Sequence, residues 1–66
     1  MNWTVANQKY CLGDWRVYPT SDGWRVSHRI HKELPHFDEM VGLVFETSRQ
    51  AITAVEMMIE RERRKG

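Results

Sequence analysis

Residues 15–26 read Trp-Arg-Val-Tyr-Pro-Thr-Ser-Asp-Gly-Trp-Arg-Val, the same aromatic-basic-aliphatic triplet on either side of a segment rich in turn formers. Pro, Ser, Asp and Gly favour chain reversal, and both arms alternate apolar with polar side chains at the period of a half-buried strand. The repeat therefore predicts an antiparallel hairpin. Opposed residues in such a pair point to the same side, so a register joining Val17 to Trp24 and Trp15 to Val26 gathers all four on one face. In that register residues 19–22 form a four-residue loop, Tyr18 stands opposite Gly23, and Arg16 lies directly across from Arg25. A slip of one residue mixes the two faces and is disfavoured when one of them is buried.

Toward the N-terminus, residues 10–18 read as one strand interrupted at Gly13 and Asp14, and extending the register pairs Cys11 with Ile30 and Gly13 with His28. The buried face is then Trp15, Val17, Trp24, Val26 and Ile30, while Arg16, Tyr18, Arg25, Ser27, Arg29 and His31 look outward. Residues 1–9 are polar apart from Trp3, Val5 and Ala6 and read as a tail or a weakly structured extra strand. Toward the C-terminus, residues 32–42 form a connection in which Phe37, Met40 and Val41 fold back on the core. A third strand follows, with Leu43 and Phe45 inward and Val44 and Glu46 outward; either hairpin arm can receive it.

The last segment is helical. Thr47 caps it and Gln50 completes a capping box. Ala51, Ile52, Val55, Met58 and Ile59 make one stripe with Ala54 beside it, and Glu60 is spaced to pair with Arg64. Arg61, Arg63, Arg64 and Lys65 gather where the helix dipole favours cations, and residues 62–66 read as a fraying end. The expected fold is α+β: a three-stranded antiparallel sheet covered on one face by a C-terminal helix, βββα, in a single domain spanning residues 1–66.

Composition bounds the function. Of the 66 residues, 41% are hydrophobic and 29% charged, which places the chain among folded soluble domains rather than disordered ones. The formal charge of +1 means that any basic surface must arise from segregation of charge, not from excess. A lone cysteine, Cys11, excludes an intrachain disulfide and fits a reducing compartment. The start lacks the pattern of a secretion signal, and no apolar run approaches a membrane span. A cytoplasmic location is expected.

Catalytic chemistry is poorly provided for. Cys11 and His28 lie on the proposed inward face, where a small buried thiol beside a histidine is ordinary packing. His28 and His31, three apart on a strand, face opposite sides and cannot share an ion, while His36 and Asp38 form at most a minor surface pair. The glycines at 13, 23, 42 and 66 are scattered rather than grouped into a phosphate loop. The chain is read as non-enzymatic, with no cofactor and no metal.

The outward face carries more information. Arg16, Tyr18, Arg25, Ser27, Arg29, His31 and Lys32 are donors suited to phosphate oxygens, base edges or an acidic partner. Arg61, Arg63, Arg64 and Lys65 form a secondary basic patch. A free strand edge also leaves room for pairing with a second copy.

The hairpin at residues 15–26 and the junction Phe-Glu-Thr-Ser-Arg-Gln-Ala-Ile-Thr-Ala-Val-Glu-Met-Met-Ile-Glu at residues 45–60 resemble the arm-type DNA-binding domain at the N-terminus of phage and transposon tyrosine integrases. That resemblance implies a βββα domain whose exposed sheet enters the major groove, with DNA contacts from Arg16, Tyr18, Arg25, Ser27 and Arg29. The chain also resembles small phage-encoded accessory proteins, including inhibitors of host defence complexes. Two functions are thus expected: a duplex DNA-binding module, or a regulatory or inhibitory protein that binds a larger host protein or nucleoprotein complex.

Overall fold

The computed structural model describes residues 2–31 and 33–65, apart from the side chain of Lys65. Five strands precede one helix: β1 (Thr4–Ala6), β2 (Lys9–Leu12), β3 (Trp15–Thr20), β4 (Gly23–His28), β5 (Asp38–Phe45) and α1 (Ser48–Lys65). They form a single antiparallel meander in the order β1-β2-β3-β4-β5. The expected three-stranded sheet is therefore wrong by two strands. The segment read as a tail or weak strand contributes β1 and the start of β2, and the strand expected over residues 10–18 is folded back on itself at Gly13 and Asp14.

Local backbone chemistry explains the difference. Ala6 pairs with Lys9, so Asn7 and Gln8 alone make the first reversal, at φ of 50° and 65°. Two consecutive positive φ values are the signature of the type I′ hairpin turn, whose twist matches that of the strands. Leu12 pairs with Trp15, and Gly13 supplies the positive φ of 55° for the second tight turn.

The central hairpin has the expected faces but a different register. Thr20 pairs with Gly23, Tyr18 with Arg25, Val17 with Val26, Arg16 with Ser27 and Trp15 with His28. The loop is thus two residues, Ser21 and Asp22, rather than four, and Arg16 is not opposite Arg25. The pairing is shifted by two residues from the expected one, and because side chains alternate with period two, that slip keeps each face intact. Cys11 pairs with Thr4 and Arg16 instead of Ile30, and Gly13 lies in a turn rather than across from His28. Ile30 follows the end of β4 and is 55% exposed, so it is not a core residue.

β5 lies beside β4. It begins at Asp38, well before the expected start at Leu43, and it carries a large irregularity: Ser27 pairs with Glu39 and Arg25 with Val44, so residues 40–43 stand against Val26 alone. Gly42, at φ of 89°, lies inside this bulge. Met40 packs on the core, whereas Val41 is 90% exposed, contrary to the expectation that it folds inward.

α1 covers β3, β4 and β5. Thr47 caps it as expected, the Gln50 N–H donating to Thr47 Oγ1 at 3.2 Å, but the Gln50 side chain accepts at 3.0 Å from the Glu46 N–H, one residue before the cap position of the expected box. Arg63, not Arg64, pairs with Glu60, at 3.2 Å. Val17, Val26, Ala51 and Val55 are fully buried at the helix–sheet interface, with Tyr10, Trp15, Trp24, Phe45, Ile52, Met58 and Ile59 packed around them. Trp3 joins this layer and donates its indole N–H to Glu56 at 2.9 Å, tying the N-terminal hairpin to the helix. Among the described residues no helix is long and apolar enough to cross a membrane.

Candidate functional site

The helix takes one face of the sheet and leaves the other open. Arg16 opposite Ser27 and Tyr18 opposite Arg25 place these four side chains together on the open face. Cys11, facing Arg16, shares it. His28, across from Trp15, lies on the helix side, so Cys11 and His28 cannot act as a pair.

Ser27, 7% exposed, donates its hydroxyl to Tyr18 Oη at 3.0 Å, and the Tyr18 hydroxyl donates in turn to Glu39 Oε1 at 2.9 Å. Arg25 pairs with Asp22 at 2.9 Å and with Glu39 at 3.6 Å. Burial pushes the Tyr18 pKa up, and its hydrogen bond to the Glu39 carboxylate and that group's charge push the same way, against the opposing influence of Ser27 and Arg25. The hydrogen bond it donates to Asp22, ahead of the Glu39 charge, holds the Arg25 guanidinium protonated still more firmly than usual. The arginine expected to lie bare beside Arg16 is thus already engaged by two carboxylates.

Arg29 lies past the end of β4 and is held by Asp14, with contacts of 2.8 and 3.0 Å to Oδ1 and a 2.8 Å backbone bond between the same residues. Arg16 takes another course. Its Nη1 donates to the carbonyls of Gly13 and Trp15, both at 2.7 Å, and its guanidinium sits 4.6 Å over the centre of the Phe37 ring. Phe37, expected in the core, instead roofs part of the open face and stands 5.9 Å from Arg29 as well. His31 is outside the strand, exposed, with Glu33 at 3.8 Å. Lys32 lies outside the described residues.

The secondary patch is separate. Arg61 and Arg64 border a depression of about 410 Å³ on the outer side of α1, with Met57 between them and Thr53, and Arg63 is turned to Glu60. Since α1 and the open face lie on opposite sides of the sheet, the two basic groups cannot contact one flat surface together. Of the patch residues, the Lys65 side chain lies outside the described residues.

Sequence reasoning missed three members of the open face: Lys9, Phe37 and Glu39. Lys9, Arg16, Tyr18, Ser27 and Phe37 line a depression of about 360 Å³. The only signal for Lys9 was the Asn-Gln pair, and glutamine is an unusual residue for a positive φ. A larger depression, about 630 Å³, opens on the helix side beside the Trp15 and His28 rings, which stack at 3.8 Å and 5°. Among the described residues no group of three or more His, Cys, Asp or Glu is placed to hold a metal ion, and His36 is bonded to Asp38 at 3.0 Å.

Comparison of the chain with family models, with curated proteins and with solved structures returned no match.

Proposed function

We propose that this chain is a small non-enzymatic binding protein whose open sheet face docks onto a larger protein. The observation that carries this reading is the pairing of the face's own charges. Arg25 is held between Asp22 and Glu39, and Arg29 by Asp14, so acids and bases alternate across the surface. Val44, opposite Arg25 and 41% exposed, adds an apolar contact at the margin. Mixed charge around apolar ground fixes the register of a protein partner better than it attracts a polyanion.

Duplex DNA is the second reading, favoured by Lys9 and Arg16, which have no carboxylate within ion-pair distance among the described residues. Two neutralised phosphates give a fall in affinity of roughly 12-fold between 50 and 200 mM salt, against about 150-fold for four. So small an electrostatic contribution leaves little non-specific affinity.

The test has two arms. Titration of mixed-sequence duplex at low salt is expected to show no saturable binding. Affinity capture from the native cells after nuclease treatment is expected to retain one stoichiometric protein, lost in Val44→Lys. Saturable duplex binding, or capture indifferent to Val44→Lys, overturns the protein-docking reading.

A further inference from the structure

We infer that the depression between Lys9, Arg16 and Phe37 is a seat for a carboxylate side chain of the protein partner. The inference rests on the docking reading above and names the chemistry the face would recognise.

Arg16 is preorganised. The carbonyls of Gly13 and Trp15 hold its Nη1, and the Phe37 ring supports the guanidinium plane at 4.6 Å. A guanidinium has five N–H donors, so two bonds from Nη1 leave the Nε and Nη2 side of the fork for an incoming planar acceptor. Lys9 adds a second cation on the same depression, on an exposed residue of β2. The hydroxyls are spent differently: Tyr18 donates to Glu39 and Ser27 donates to Tyr18, so neither proton is offered to a ligand. The seat therefore binds through its cations, with the aromatic ring as a wall.

Charge complementarity selects a carboxylate-bearing segment over a nucleic acid strand. Glu39 lies immediately beyond Tyr18, Asp22 beyond Arg25, and Asp14 beneath Arg29. A single carboxylate meets only the cationic seat. A strand of phosphates, with a charge at every nucleotide, runs on into those acids and is repelled by them.

The test uses the full ¹⁵N-labelled chain and two probes, a capped peptide carrying one glutamate among neutral residues and a short mixed-sequence duplex. The peptide is expected to shift the amides of Lys9, Arg16, Tyr18, Ser27 and Phe37 saturably. Lys9→Gln, an exposed change that leaves the fold intact, is expected to weaken this by roughly tenfold, the loss of one charge-assisted contact, whereas Arg64→Gln leaves it unchanged. Absence of saturable shifts up to about 10 mM peptide, shifts confined to α1, or tighter binding of the duplex to the same amides would each overturn the assignment. The two readings fail separately: loss of host-protein capture in Val44→Lys but not in Lys9→Gln removes the seat and leaves the docking face standing.

Discussion

Tyr18 shows at the scale of one residue how the open face is held together. Its phenol is buried enough to resist ionisation and donates a hydrogen bond to Glu39, whose charge further opposes a phenolate. The folded-state pKa lies above the ordinary value near 10, so the neutral form stabilises the fold. That contribution is complete below the unfolded value and is lost as pH rises through the folded one. Alkaline titration followed by phenolate absorbance should show a transition above 10 that disappears in Tyr18→Phe. In Glu39→Gln, which removes the charge but keeps an acceptor, the Tyr18 transition should move down toward 10; an unchanged midpoint would show that Glu39 does not control it. Four side chains of this face, Arg16, Tyr18, Arg25 and Ser27, were legible from alternation alone, because a period of two fixes which side chains of a strand look outward. Their partners were not. Glu39 arrives from a strand whose register depends on a bulge, and nothing in the sequence near Arg25 announces that a second carboxylate completes its environment.

At the scale of the elements, the turns decided what the sequence could disclose. Asp-Gly was conspicuous and predicted a hairpin in the right place, although the loop closed two residues shorter than expected. Asn7-Gln8 gave no such signal, because glutamine at a φ of 65° is held there by the strands it joins rather than by its own preference. Gln8→Gly should relieve that strain and, after the entropy lost by a more flexible unfolded chain, raise stability by up to about 1 kcal/mol in a denaturant melt. Two other glycines separate steric need from backbone need. A Cβ on Gly23 falls 2.5 Å from the Phe45 carbonyl oxygen, at a φ of 134°, whereas one on Gly42, at 89°, meets open space. Gly23→Ala should therefore cost about 3 kcal/mol or more and Gly42→Ala about 1 kcal/mol. Equal costs would mean that β4 can move away from β5 more easily than their pairing implies. The helix was the most legible element, since its cap, its apolar stripe and its sheet-facing Ala51 all follow from local sequence, while strand number depended on a turn with an atypical residue.

For the whole molecule, the accessible surface of 4963 Å² exceeds the roughly 4,400 Å² expected of a compact 7.9 kDa chain. The excess agrees with a core whose fully buried members are Val17, Val26, Ala51 and Val55, all small or medium in size. Total stability of such a chain falls at roughly 3 to 5 kcal/mol, so Val55→Ala, which removes about 2 kcal/mol, should lower the thermal midpoint by roughly 10 °C. A thin core and a five-stranded open sheet make self-association through the β5 edge the obvious hazard, and Val41 at 90% exposure sits on that edge without a charge beside it between residues 40 and 45. The bulge opposes it. Four residues against Val26 break the run of evenly spaced donors and acceptors that a second strand needs, and Gly42 turns the backbone out of the pleat. The chain should therefore remain monomeric, with a thermal midpoint independent of protein concentration and unmoved by Val41→Lys. A midpoint that rises with concentration and loses that dependence in Val41→Lys would show that the irregular edge pairs nonetheless, and that two sheets joined there offer a larger docking surface than one.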